Sequence, residues 1–539
     1  MQWQLGFVTP RAFRRGLLAG CALLAAACGG QTATATQSDG AGTTDSGAAT
    51  APAATGAAGT APAGTDSAAA SAPARTSALS SDWRQFGGNA QSSGVGPANT
   101  GITTANAGRL RLREVHVDGV VDSAAIALGG VVVDGTRHDV LVVTTSYGKT
   151  IALDAGTGRA LWEFRPSGVN STPGNPQVVT AAPTADPDRR FVYSASPNGV
   201  IHKLSVASGH QVWSRRITFD PTHEKIASSL HTSGRWLVAV TGGYIGDAPP
   251  YDGHVVTIDR DSGRIHRVWN SECSHRHRLI AASSCSVTNT AGDNAIWGRA
   301  GAVIEPGSGR ILVTTGNGPF DGRTSWGDSV LELAPDASRL LHNWTPVDQA
   351  RLDAHDTDLG STSPAILPPF HGRRLAVQGG KAGVLDLLDL DRLNGTRGGA
   401  GPRLGGQVSQ TSAPGGTQVF TQPAVWTNGG RIYVFVADGV GTTAYQLVDA
   451  GHPRLEVVWQ NGSAGTSPVV AGGLLYVFNP GGALNIRRPL NGALVRALSA
   501  GSGHWNSPIV VGGRIVEPTG AYGSGASSGT IDIWHLPGR

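Results

Sequence analysis

The chain has 539 residues, with 77 glycines and 31 prolines; only 15% of its side chains are charged, yet 40% of it is hydrophobic. Coiled coils, long-helix proteins and wholly disordered chains carry more charge, so the composition excludes them and points to a repetitive all-β protein. The net charge of +4 is small for this length, the four lysines (Lys149, Lys203, Lys225 and Lys381) are scattered, and no basic run alternates with aromatics, which argues against nucleic-acid binding.

The first thirty residues read as an address. Arg11, Arg14 and Arg15 flank an apolar run, Gly16 to Ala27, that is too short to cross a bilayer and fits a secretory signal. It ends Leu24-Ala25-Ala26-Ala27-Cys28, which resembles the lipobox of bacterial lipoproteins; an ordinary signal peptide is the alternative. Leu18-Ala19-Gly20-Cys21 matches the box better locally, but cleavage there leaves five apolar residues after the arginines, so Cys28 is preferred to Cys21 as the lipidated residue. Residues 29–80 are mostly Ala, Thr, Gly, Ser and Pro without one aromatic, too apolar-poor to offset their ordering entropy, and read as a disordered tether. The expectation is a signal peptide over 1–28, a linker over 29–80 and a folded domain over 81–539. The protein would be exported and lipid-anchored to a bacterial membrane, facing the periplasm or the cell exterior.

The folded part repeats itself. Its unit is a β-branched run, a Gly turn, an alternating strand, a second tight turn and a closing strand that often carries Trp. Val142-Val143-Thr144-Thr145, Tyr147-Gly148, Ile151 to Asp154, Ala155 to Gly158 and Leu161-Trp162 form the clearest copy. Phe191 to Trp213 and Leu237 to Trp269 repeat it, and further copies end near Trp344, Asn394-Gly395, Trp459, Asn491-Gly492 and Trp534. Short alternating strands joined by Gly, Asn and Asp turns are hairpins, and one such unit cannot bury its own faces. Copies must stack radially, so the reading is a β-propeller of four-stranded antiparallel blades. The endings count eight blades; seven would require one unit to be loop. Ring closure would come from residues around Leu110 to Val117, which leaves no free terminal edge.

Ile151 to Trp162, read as strand, Ala-Leu-Asp-Ala-x-Thr-Gly, then Trp, resembles the repeat of pyrroloquinoline-quinone (PQQ) propellers, and Asp82 to Asn89 resembles the opening segment of such domains. The resemblance implies the same ring fold over about 85–539, but not catalysis, since non-catalytic barrel-assembly lipoproteins share the repeat. In the enzymes the quinone stacks on a Trp, Ca²⁺ bridges quinone and protein oxygens, and an Asp accepts the alcohol proton. Matching residues occur in order: Trp297 as the stacking floor, Asn317 in Thr315-Gly316-Asn317-Gly318-Pro319 as a Ca²⁺ ligand, Asp356 in His355-Asp356-Thr357-Asp358 as catalytic base and metal ligand, and Lys381 against the quinone oxygens. The family's Ca²⁺-binding Glu is missing from Gly242–His254, where Asp247 is the available substitute. Adjacent cysteines are absent, as is the Cys-x-x-Cys-His of a covalent haem domain.

Cys273 and Cys285 lie in a polar segment, and in an exported protein the expected fate is a loop-closing disulfide. His275 and His277 between them keep a zinc site open as the alternative. Asp154, Asp259 and Asp389 stand at blade turns and are read as hairpin chemistry rather than as catalytic groups. Three functions stay in view: a PQQ- and Ca²⁺-dependent dehydrogenase of an alcohol or sugar, a scaffold for protein partners, and a binder of polysaccharide or another ligand.

Overall fold

The computed structural model describes residues 79, 81–244, 248–285, 294–393 and 404–538. The expected signal peptide, Cys28, nearly all of the linker, Asp247 and the Asn394-Gly395 turn lie outside the described residues. Eight four-stranded antiparallel sheets follow one another along the chain. The first seven span 126–164, 184–216, 231–270, 303–344, 365–412, 424–461 and 469–499. The eighth holds Ile509–Val511, Arg514–Thr519 and Gly529–His535, and takes its outermost strand, Arg111–Val117, from the other end of the domain. That strand runs in register from Arg111 opposite His535 to Val117 opposite Gly529. This is the closure expected around Leu110 to Val117, and it fixes the count at eight.

Burial falls from the first strand of a blade to the fourth. In the seventh blade Val469–Ala471 is fully buried, whereas Leu494–Ser499 is mostly exposed. The core lies between neighbouring blades: Leu237 and Val256 pack on Tyr193 and Ile201, and Val238 and Val255 pack on Ile311 and Leu331. Each sheet thus buries both faces, which explains strand runs such as Val140 to Val143 with apolar residues on both sides.

The segment beginning at Trp83 occupies the centre of the ring. Trp83 exchanges both backbone hydrogen bonds with Ala127, Ala185 N–H donates to Arg84 O, Ile304 N–H to Ala90 O, Val425 N–H to Ser93 O and Val470 N–H to Gly94 O. One short peptide touches the innermost strands of five blades, a placement available only on the axis.

Around the rim, a Trp of one blade docks on a turn of the next. The Trp162 indole N–H donates to Val206 O at 2.8 Å, Trp213 to Arg260 O at 3.1 Å and Trp459 to Pro489 O at 2.7 Å. Each ring lies on a turn glycine (Gly209, Gly263, Gly492) with φ near +70°, where a Cβ would stand only 2.6–2.7 Å from the indole. Trp269 and Trp344, read from sequence as equivalent endings, are not. They pair with Val255 and Val330 further along their strands and are buried in the inter-blade core. At the closure Val115 takes the rim position, 2.5 Å from where a Gly158 Cβ would be.

The turn carboxylates behave as read. Asp154 accepts the Thr157 N–H and hydroxyl, Asp259 does the same for Ser262, and Asp389 accepts the Asp391 N–H. Cys273 and Cys285 form a disulfide with Cα atoms 5.9 Å apart, which leaves no thiolate for the zinc alternative.

Candidate functional site

In an up-and-down blade, the turns between second and third strands and the connections between blades emerge at the same end of the ring. Every site residue matched from sequence and described by the structure sits there. Trp297 lies in the connection from the third to the fourth blade and Asn317 in the middle turn of the fourth. Asp356 follows the six-residue helix Gln349–Ala354 on the way to the fifth blade, and Lys381 is in the middle turn of that blade.

These side chains meet. The Lys381 ammonium lies 2.7 Å from Asp356 Oδ1, also ion-pairs with Asp358, and stands 5.6 Å from the centre of the Trp297 ring. Asp358 Oδ1 accepts the Asn317 backbone N–H at 2.8 Å. Asn317 Nδ2 donates to Leu352 O at 3.0 Å and faces Asp328 Oδ2 at 3.4 Å, which turns Oδ1 the other way. That amide oxygen is buried and has no hydrogen-bond partner among the described residues. Gly316 makes the approach possible, because a Cβ there would sit 2.3 Å from Asp358 Oδ1 and 3.0 Å from Trp297 Nε1.

Electrostatics separate the three carboxyls. Burial and the nearby Asp358 push Asp328 well above the ordinary carboxyl range. Burial also raises Asp356, against the pull of Lys381. Asp356 adopts φ +51°, a left-handed conformation that Asp tolerates better than most residues. Although burial disfavours its charge, Lys381 is kept protonated by Asp358 and Asp356.

The opposite side of the same mouth went unnoticed in the sequence. Trp297 is followed by Phe420 at 6.0 Å between ring centres, and Phe420 by Trp505 at 5.9 Å, so three inter-blade connections lay an aromatic arc around the axis. Arg299 donates to Trp505 O at 3.2 Å. Their two connections are four blades apart in a ring of eight, so this contact crosses the axis. Asp122 is buried there; it accepts the Trp505 N–H at 2.7 Å and pairs with His504 at 2.9 Å. Lys225 belongs to a two-residue strand, Glu224–Lys225, paired with Gly242–Gly243. Alternation along that strand sends Glu224 inward to His254, 3.3 Å away, and Lys225 into the mouth, over the Tyr522 ring. Burial would lower His254, but Glu224 and Asp252 outweigh it and raise His254 to about 9.

Among the described residues no group of three or more His, Cys, Asp or Glu side chains is arranged to hold a metal ion. The carboxylate half nonetheless suits a hard cation in kind. It offers an unpartnered buried amide oxygen beside Asp358 and Asp356, with a single ammonium as counter-charge, and such oxygens are what Ca²⁺ takes. Asp358 and Asp328 were missed as site residues. Asp358 stood two positions from Asp356 in the same motif, whereas Asp328 showed no signal beyond being an Asp next to a strand.

The architecture defines the class: an eight-bladed β-propeller whose polar side chains converge at one end of its axis. A family model described as outer membrane protein assembly factor BamB matches residues 98–358. Among solved structures, the quinohemoprotein alcohol dehydrogenase of Comamonas testosteroni is similar with a TM-score of 0.62 at 14% identity, covering 85% of this chain and 81% of that one. A europium-containing methanol dehydrogenase is similar with a TM-score of 0.62 at 14% identity, covering 84% and 98%. Quinohemoprotein alcohol dehydrogenase ADHIIG of Pseudomonas putida HK5 gives 0.61 at 15% identity, covering 85% and 80%. At these identities the likeness is one of fold. No curated protein matches the chain. Over residues 98–358 the chain is therefore similar to that family model, and across the whole ring it shares the eight-bladed fold of those dehydrogenases.

Proposed function

We propose that the mouth binds PQQ with a cation such as Ca²⁺, and that the protein is a quinoprotein dehydrogenase acting on an alcohol or sugar. The observation that carries this reading is the convergence of Trp297, Asn317, Asp356, Asp358 and Lys381 around one unpartnered amide oxygen. Trp297 supplies a flat face, and Asn317 Oδ1 with Asp358 supplies oxygens for the cation. When bound, the quinone supplies the two-electron acceptor for the substrate's hydride. Asp356 takes the hydroxyl proton on its carboxylate, and its raised pKa brings it closer to the pH at which it must act. Lys381 fixes that carboxylate in place through its second bond to Asp358.

Purified protein given PQQ and Ca²⁺ should bind the quinone, followed by its absorbance, and reduce an artificial dye with an alcohol or sugar. Asp356→Asn should keep much of the binding while losing turnover by ~10²-fold or more, since an amide cannot accept the proton. If the wild-type protein shows no PQQ binding at saturating Ca²⁺, the reading fails, and the protein scaffold, to which the assembly-factor match belongs, and the polysaccharide or ligand binder take its place.

Export with lipid on Cys28 is part of the same proposal, supported by the lipobox-like sequence and the aromatic-free tether. Cys28→Ala protein, with its signal processed, should leave the membrane fraction; unchanged partitioning would refute the anchor.

A further inference from the structure

The four lysines of the chain are not equivalent. Lys149 pairs with Asp118, Lys381 with Asp356 and Asp358, and Lys203 donates to Arg260 O at 2.7 Å. Lys225 is only 5% exposed, yet among the described residues its ammonium has neither an ion pair nor a hydrogen bond. The amine stands 5.1 Å from the centre of the Tyr522 ring.

The neighbours do not balance it. Arg299 is 4% exposed, and its Nη2 is spent on the Thr180 and Trp505 carbonyls while its Nε is buried without a partner. Asp122, the carboxylate that acts on both cations, is already occupied by His504, the Trp505 N–H and the Tyr522 N–H. Two buried cations therefore share one saturated carboxylate. A largely buried ammonium without an ion-pair partner is costly, and an anion that reached it from the mouth would offset that cost. Burial lowers Lys225 to about 8 and Arg299 to about 10, as expected of cations short of charge. Trp505, Tyr522 and His504 are each partly exposed, so the group opens onto the mouth and presents ring faces beside the charges.

We infer that Lys225 and Arg299 form a carboxylate-binding subsite, and that the ligand is an anionic ring compound of the uronic-acid type, its carboxylate on the cations and its ring against Trp505 and Tyr522. The subsite stands on residues separate from Asn317, Asp356 and Lys381, so the inference does not depend on quinone binding.

The test is equilibrium binding to full-length protein without quinone, with D-glucuronate against D-glucose and acetate as probes. Glucuronate should bind, glucose at least ~10-fold more weakly, as expected for losing a charged hydrogen bond. Lys225→Gln should abolish that preference, and Lys225→Met should do so while raising the melting temperature of the unliganded protein. A gain of stability with a loss of binding marks a residue kept for a ligand. Equal binding of glucuronate and glucose, or an unchanged preference in both variants, would overturn the inference. So would displacement of glucuronate by PQQ that is lost in Lys225→Gln, because the subsite would then belong to the quinone. Arg299→Gln serves as the second variant if Lys225 substitutions fold poorly, with the same loss expected.

Discussion

The two halves of the propeller mouth are built from the same kinds of connection, yet they solve opposite charge problems. On the side of the fourth and fifth blades, Asp356 and Asp358 share Lys381, and burial raises Asp328 well above the ordinary carboxyl range. Across the axis, Lys225 and Arg299 share Asp122, and among the described residues the Lys225 ammonium makes neither an ion pair nor a hydrogen bond. One half balances its charge within the protein and leaves the Asn317 amide oxygen unpartnered, whereas in the other the Lys225 ammonium makes no ion pair among the described residues. A mouth so polarised orients any ligand that carries an anionic end.

The contrast can be broken most directly at its two lysines. Lys381→Met should destabilise the protein by about 3 kcal/mol, because it strands the buried Asp358 and the partly exposed Asp356, whereas Lys225→Met has the opposite sign. Urea unfolding of the two variants side by side would show it, and equal destabilisation would erase the distinction. Trp297→Ala comes next: it should weaken PQQ binding by on the order of 1 kcal/mol through loss of a stacking face, and leave glucuronate binding unchanged. A titration in which both ligands weaken together would mean that the halves act as one site. The smallest effect is one of pH. The folded pKa of Lys225, about 8, lies below the unfolded value of about 10.4, so its charging penalty is complete below pH 8 and fades as pH rises toward 10.4. The stability advantage of Lys225→Met should therefore shrink over that interval, and a pH-independent advantage would remove the buried-cation explanation.

Much of the carboxylate half was legible in the residues. Thr315-Gly316-Asn317 and His355-Asp356-Thr357-Asp358 are motifs with a fixed order, and the fold brought Trp297, Asn317, Asp356 and Lys381 to one place. Of the His355-Asp356-Thr357-Asp358 motif the sequence singled out Asp356 alone, because two acids two residues apart look alike until Gly316 brings Asp358 onto the Asn317 amide. Asp247 lies outside the described residues.

The cationic half had no such signature. Lys225, Arg299, Asp122 and Trp505 belong to four different connections, separated by up to hundreds of positions, and only closure of the ring makes them neighbours. Nor does a lysine's letter disclose its burial, which here follows from a two-residue strand whose alternation turns Glu224 one way and Lys225 the other.

What the sequence determined by itself was local and periodic. Strands, turn carboxylates, the number of blades and the strand that closes the ring follow from hydrophobic alternation and turn chemistry repeated along the chain. Tertiary structure alone decided which tryptophans dock on the rim and which fill the core, since a two-residue shift along a strand keeps the side chain on the same face but changes what it meets. It also decided where unlike charges balance at the mouth and where they do not, because that depends on distances across the axis, which no repeat along the chain encodes.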